Sequence, residues 1–187
     1  HEASRRLGYS VRHTMTLAQR LYEAGPITYM RTDSTTLAGP TLPAADTSLK
    51  KELGDEYHQT RQYKTKNESA QEAHEAIRPT SFNQTDLGSD SQQKKLYQLI
   101  WQRALASQMA PARLERTEVV IGVSNQPETF LAKGEILQFD GFMKVYGGTK
   151  DDVLLPALKN GQTLGMNSMA ATETFTRPAA RYSEATL

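Results

Sequence analysis

Apolar residues recur every three or four positions in two stretches of the first 113 residues, then alternate with polar ones from about Leu114 onward. The first period belongs to helices and the second to strands. Ser10 is placed to cap a helix whose apolar positions are Val11, Thr14 or Met15, Ala18, Leu21 and Tyr22, with Gly25 as its stop. A short helix over residues 5–7 and a turn at Gly8 precede it, giving a helix-turn-helix outline. Residues 26–30 form a short strand by this reading, and residues 32–36 a turn rich in capping residues, able to open a helix.

Two prolines and a glycine mark a loop over residues 38–45, before a charged surface helix at 47–57. Residues 59–70 are polar, and residues 72–77 read as a short helix ended by Pro79. The clearest helix follows. Asp90 or Ser91 caps it, Leu96, Leu99, Ile100, Arg103 and Leu105 mark its inward face, and Pro111 closes it. Trp101, the single tryptophan, suits core packing or an interface.

Beyond Leu114, Val119, Ile121 and Val123 alternate within residues 118–124, and Phe130, Ala132 and Ile136 lie in 130–139 with a turn at Gly134. Met143, Val145 and Tyr146 follow a turn at Asp140–Gly141 as further strand. Residues 159–161 form another turn before a last strand at 163–175. The fold class expected is α+β and multidomain: a mostly helical domain at 1–113, an antiparallel β domain at 114–176, and the start of a further domain at 177–187.

Composition narrows the function only locally. Twenty-two basic against 21 acidic residues leave a formal charge of +1, which argues against binding nucleic acid through bulk charge. Residues 1–31, however, hold five arginines and two acids, which suits either a DNA backbone or a solvated helix face. The chain has no cysteine, no apolar run of membrane-spanning length and no signal-peptide core, so the expectation is a soluble cytoplasmic protein. It begins and ends inside patterned sequence, as an excised fragment would.

The chemistry concentrates in ITYMRTDSTT, residues 27–36. In an extended segment Tyr29, Arg31 and Asp33 share a face. A phenol beside a guanidinium that can grip a phosphate is what a tyrosine needs to attack a phosphodiester. Tyrosine is protonated near neutral pH, and a neighbouring cation favours the phenolate and stabilises charge growing on phosphorus-bound oxygens. An arbitrary tyrosine is far more often a packing residue, so the whole motif carries the reading. Asp33 can orient the guanidinium, while the plainer account is that Asp33 or Ser34 caps a helix. In QEAHEAIRPT, residues 71–80, His74 can donate to a phosphate oxygen, although a lone histidine is more often structural. Arg78, one turn further on a helix, would share its face and either bind DNA or brace the helix. No histidine pair has metal-ligand spacing, and Glu72 with Glu75 is a common helical arrangement.

YMRTDS and QEAHEAIRPT, with EASRRLGYSV, LYQLIWQRALASQMAPA and RPAARYSEATL, resemble the active-site region of bacterial type IA DNA topoisomerases over nearly the whole chain. The resemblance implies an ATP-independent isomerase that cuts one DNA strand through a 5′-phosphotyrosyl link, passes another strand and relaxes negative supercoils. By position, Tyr29 is the nucleophile, Arg31 the phosphate-binding cation and His74 a phosphate-facing or proton-handling group; Asp33 and Arg78 stand as DNA-binding or supporting residues. It further implies a β arch framing a hole for DNA, a monomer, and single-stranded, negatively supercoiled DNA as partner. Magnesium is held in such enzymes by an acidic cluster of a separate module, which also supplies a lysine, and a GRPST segment is expected just past Leu187. This fragment would then hold the nucleophile without a complete site and would not relax DNA alone. One departure is Pro26, where the family usually has an aliphatic or aromatic residue, and proline is tolerated at the start of a strand. Two other classes account for parts of the chain. A non-catalytic helix-turn-helix module explains the arginines but not Tyr29, Arg31 and His74, and an interaction domain explains only the β half.

Overall fold

The computed structural model describes residues 1–39, 41–63, 74–148 and 151–186. Its centre is α4, Ser91–Ser107, against which α1 (Glu2–Leu7), α2 (Val11–Glu23) and α5 (Met143–Tyr146) pack. α4 starts where it does because Asp90, in extended conformation, accepts hydrogen bonds from the backbone N–H groups of Gln92 and Gln93 at 2.9 and 2.8 Å. Leu96, Tyr97, Leu99, Trp101, Ala104 and Leu105 are buried along it. Trp101 is a core residue: its indole N–H donates to the Phe82 carbonyl at 3.0 Å. Arg103, assigned inward by periodicity, is exposed instead, because the helix shows that side to an open groove.

α2 is capped by Ser10, whose hydroxyl accepts from His13 N–H at 3.2 Å, and buries Leu17, Ala18 and Leu21. Val11 and Tyr22, expected on the inner stripe, stay exposed, since the stripe is narrower than the sequence suggested. Gly8 ends α1 at φ 69°, a left-handed conformation that glycine takes without steric cost. Leu17, Leu21, Ile27, Leu49, Tyr97, Leu105 and Met109 are almost fully buried in one cluster. Each such aliphatic side chain contributes about 1.5–3 kcal/mol relative to exposure.

Several expectations change. Residues 38–45 are not all loop, because α3 runs Thr41–Glu52 with Pro43 in its first turn, where a missing N–H costs nothing. The helix expected at 47–57 is thus displaced, and a 3-10 turn, Asp55–Tyr57, replaces its end. Residues 74–77 are extended, not helical, while 72 and 73 lie outside the described residues. Residues 26–30 form no full strand: Ile27 makes a single antiparallel bridge with Pro79. Residues 59–63 are held to the core by Gln59 N–H on the Gln108 carbonyl at 3.0 Å, and 64–70 lie outside the described residues.

The β half is one antiparallel hairpin, β1 (Arg113–Gly122) and β2 (Thr129–Phe139), in register from Gly122 opposite Thr129 to Leu114 opposite Leu137, with a shift that leaves Gln138 extra before Arg113 meets Phe139. Gly134 makes no turn; it pairs with Thr117 in mid-strand, where a Cβ would come within 2.8 Å of the Val153 carbonyl oxygen. Val153 crosses there, exchanging both backbone hydrogen bonds with Glu135. Val120, Phe130 and Leu131 remain more than half exposed, so the hairpin builds no core of its own. Residues 143–146 form α5 instead of strand, because Tyr146 docks into the helical body. Residues 163–175, expected as strand, have no partner among the described residues to complete the ladder and stay irregular and exposed.

The hairpin root is bolted down. Tyr57 donates to Asp140 at 2.8 Å and sets its ring 4.9 Å from that of Phe139. Tyr146 lies under the Arg6 guanidinium, 3.8 Å from its centroid, and donates to Glu2. That hydrogen bond holds the Glu2 carboxyl below its ordinary pKa, while burial and the same bond push the Tyr146 phenol up.

Candidate active site

Backbone pairing places the motif. Past Pro26 the chain runs beside residues 76–80: Thr28 N–H donates to the Arg78 carbonyl at 3.0 Å, Thr80 N–H to Pro26 at 2.9 Å and Ala76 N–H to Thr36 at 2.8 Å. Thr28 adds its hydroxyl, which donates to the Ala76 carbonyl at 2.9 Å and accepts from Arg78 N–H at 3.0 Å. Residues 29 and 74 are therefore neighbours across two extended segments. The imidazole of His74 lies against the Tyr29 ring with centroids 4.9 Å apart and planes inclined by 38°.

Met30 is buried at 4% exposure, and Tyr29 beside it is half-buried and packs against the same core cluster. Arg31 is exposed, and among the described residues its guanidinium makes no hydrogen bond or ion pair. Asp33, also exposed, forms no ion pair with it, so no orienting contact joins the two. Nor does Asp33 or Ser34 cap a helix. The Thr32 and Ser34 hydroxyls instead accept from the N–H groups of Ser34 and Thr36, at 3.0 and 3.2 Å, two successive local turns that fix the run outside any helix or strand.

Arg78 does not share a helical face with His74, because the segment is extended. Its guanidinium clamps Glu75 at 2.9 and 2.8 Å and donates to the Pro79 carbonyl at 2.9 Å. Glu75 also accepts from Ala38 N–H at 3.1 Å, so this pair ties the His74 segment to the motif's far end. The sequence reading gave Glu75 no such part, and nothing in its spacing announced it. It also gave Tyr22 to the core, whereas that ring meets Tyr29 edge-on at 5.3 Å. Tyr29 thus sits between Tyr22 and His74, held by rings on two sides.

Among the described residues no three His, Asp or Glu side chains are placed to hold a metal ion. Among them, too, no helix is long and apolar enough to cross a membrane.

A family model described as DNA topoisomerase matches residues 1–187. The DNA topoisomerase 1 of Vibrio cholerae is 46% identical over 192 residues, taking in 99% of this chain and 22% of the relative. That of Mycobacterium tuberculosis is 45% identical over 208 residues, covering 100% of this chain and 22% of the relative. Full-length topoisomerase I from Thermotoga maritima superposes with a TM-score of 0.72 at 36% identity, over 86% of this chain and 27% of that one. The chain spans about a fifth of the length of the curated relatives it matches. With this coverage and identity, the α+β chain that carries Tyr29, Arg31 and His74 belongs to the bacterial type IA DNA topoisomerases.

Proposed function

We propose that the complete protein cuts and reseals one strand of DNA through Tyr29. The Tyr29 oxygen attacks a backbone phosphorus, a phosphotyrosyl bond forms to the 5′ side, and the P–O3′ bond breaks, its oxygen leaving as a 3′-hydroxyl once protonated. Resealing is the reverse. One phosphodiester is exchanged for another of similar energy, so no ATP is called for, and relaxation of negative supercoils supplies the driving force once a second strand passes. The observation that carries this reading is the Tyr29–His74 ring contact; Arg31, two residues on in the chain, is exposed and has no partner among the described residues. Arg31 binds the non-bridging oxygens and stabilises their charge as the phosphorane forms, a type of contribution worth about 10²- to 10³-fold in rate. His74 donates to the same phosphate or passes the proton to the departing 3′ oxygen. Asp33 and Arg78 act around this centre, Arg78 by holding the His74 segment.

By the same reading the magnesium of such enzymes is held outside this chain, and the isolated chain does not relax supercoils. Residues 1–113, 114–176 and 177–187 form a helical unit, part of a β arch around DNA and the start of a further unit. The partner is single-stranded, negatively supercoiled DNA, met by a cytoplasmic monomer.

Denaturing electrophoresis of end-labelled DNA incubated with the complete enzyme tests the proposal. Tyr29→Phe abolishes the covalent adduct and leaves DNA binding nearly unchanged, because one oxygen is lost and no packing volume. Arg31→Lys keeps the charge but not the bidentate fork, so activity falls by less than for Tyr29→Phe. An adduct persisting in Tyr29→Phe assigns the nucleophile elsewhere.

A further inference from the structure

Beside the motif lies an open groove of about 510 Å³ to which Tyr29, Arg31 and His74 do not contribute. One wall is the run from Thr32 to Thr35, directly after Arg31; the others come from Arg61 and Tyr63, residues 76 and 77, α4, and Phe142 and Tyr146 at the two ends of α5. Thr32 follows Arg31 directly in the chain and lines the groove, so the groove opens next to a phosphate held at Arg31.

Its lining has two cations that meet no carboxylate among the described residues. Arg103 is exposed, and among those residues its guanidinium makes no hydrogen bond or ion pair, only a contact 5.2 Å from the Tyr146 ring. Arg61 donates its guanidinium N–H to the neutral amide of Gln59 at 2.7 Å, while its backbone N–H on Gln108 at 2.9 Å fixes where it stands. Against these the groove offers one carboxylate, Asp33. Two aromatic rings also face it while solvent-accessible, Tyr63 at 40% and Phe142 at 36% exposure. Two cations and two accessible rings lining one groove match a chain that carries both charges and flat apolar faces.

We propose that this groove is a single-strand subsite that seats the nucleotides adjoining the cleaved phosphate, with phosphates on Arg61 and Arg103 and bases against Tyr63 and Phe142. The assignment rests on the strand-cleaving role proposed for Tyr29 and names where the same strand continues. Its chemistry is sequence-tolerant, since every base has a π-face and neither arginine need reach a base edge.

The test uses this chain and a fluorescein-labelled single-stranded oligonucleotide carrying 5-iododeoxyuridine. Irradiation followed by peptide mapping is expected to place cross-links on Tyr63 or Phe142. Arg61→Gln and Arg103→Gln are each expected to weaken binding in anisotropy titrations and to lower the salt slope by about 0.7, the value for one lost phosphate contact on a single strand. Tyr63→Ala is expected to weaken binding by about 5- to 150-fold. Circular dichroism of each variant checks that the fold is kept. Cross-links confined to Tyr22, Tyr29 or His74, with Arg103→Gln binding like the parent, overturn the subsite and leave the role of Tyr29 standing. Groove residues protected from hydroxyl-radical labelling in the complete protein without DNA, and unchanged when DNA is added, also overturn it, because another protein segment then fills the space. An adduct that persists in Tyr29→Phe while the groove cross-links remain would separate the two readings in the other direction.

Discussion

The Thr28 hydroxyl donates to the Ala76 carbonyl at 2.9 Å and accepts from the N–H of Arg78 at 3.0 Å, which fastens the segment carrying His74 to the segment carrying Tyr29. Both bonds go to the backbone of the His74 segment, so Thr28 acts by positioning. Thr28→Val keeps the shape and removes both bonds, leaving a carbonyl and an N–H short of a partner at a cost of about 1–3 kcal/mol. Small displacements of a reacting pair cost up to about 10²-fold in rate. Single-turnover cleavage by the complete enzyme is therefore expected to slow while DNA affinity holds, and Thr28→Ser is expected to restore the rate. Equal rates for Val and Thr would show that the backbone pairing alone aligns the site.

His74→Ala removes the ring against Tyr29 and the group assigned to the phosphate or the leaving oxygen. Proton handling of this kind contributes about 10²- to 10⁴-fold, so adduct formation is expected to fall within that range. His74→Phe keeps a ring against Tyr29 without a donor. If it cleaves like the parent, the contact is packing and nothing more.

How far the sequence foretold this site follows from what local patterns encode. Ser10, Asp90 and the α4 stripe were legible because capping and periodicity act within a few residues. The meeting of His74 with Tyr29 came from motif resemblance, and no spacing rule contains it, since 45 residues separate the pair. The helix assigned to 72–77 failed across 74–77 because those backbone groups find tertiary partners in Thr36 and Thr28. Arg103 was assigned inward because periodicity cannot tell a packed helix face from one lining a groove. The strand expected at 163–175 failed for a related reason: alternation marks a segment fit for a sheet and does not supply a neighbour.

Trp101 is a stability determinant. Its N–H donates to the Phe82 carbonyl at 3.0 Å, and that bond joins α4 to the loop over residues 81–88. Trp101→Phe deletes the donor and part of the ring. The expected loss is about 1–3 kcal/mol from the unpaired carbonyl, with a further penalty for the space vacated. Urea unfolding followed by circular dichroism measures it. A midpoint unchanged from the parent would mean that water satisfies Phe82 at no cost.

Asp90 supplies the pH dependence. Its carboxylate accepts from the N–H groups of Gln92 and Gln93 and from the Gln93 amide, and these bonds, led by the Gln93 N–H, lower its pKa from the ordinary value. A carboxyl with a depressed pKa in the folded state favours folding above its unfolded value, about 3.9, and that contribution is lost as pH falls through the lower folded value. An asparagine at this position would cap nearly as well and does not titrate. The parent is therefore expected to melt above Asp90→Asn at about pH 7, with the gap closing below about pH 4. Other carboxylates, Glu2 among them, titrate in both proteins and cancel in the difference. Thermal melts at 222 nm across that range decide the point. A gap that stays constant or widens on acidification would show that the charge on Asp90 contributes nothing to the start of α4, and that any side chain able to accept those N–H groups serves equally.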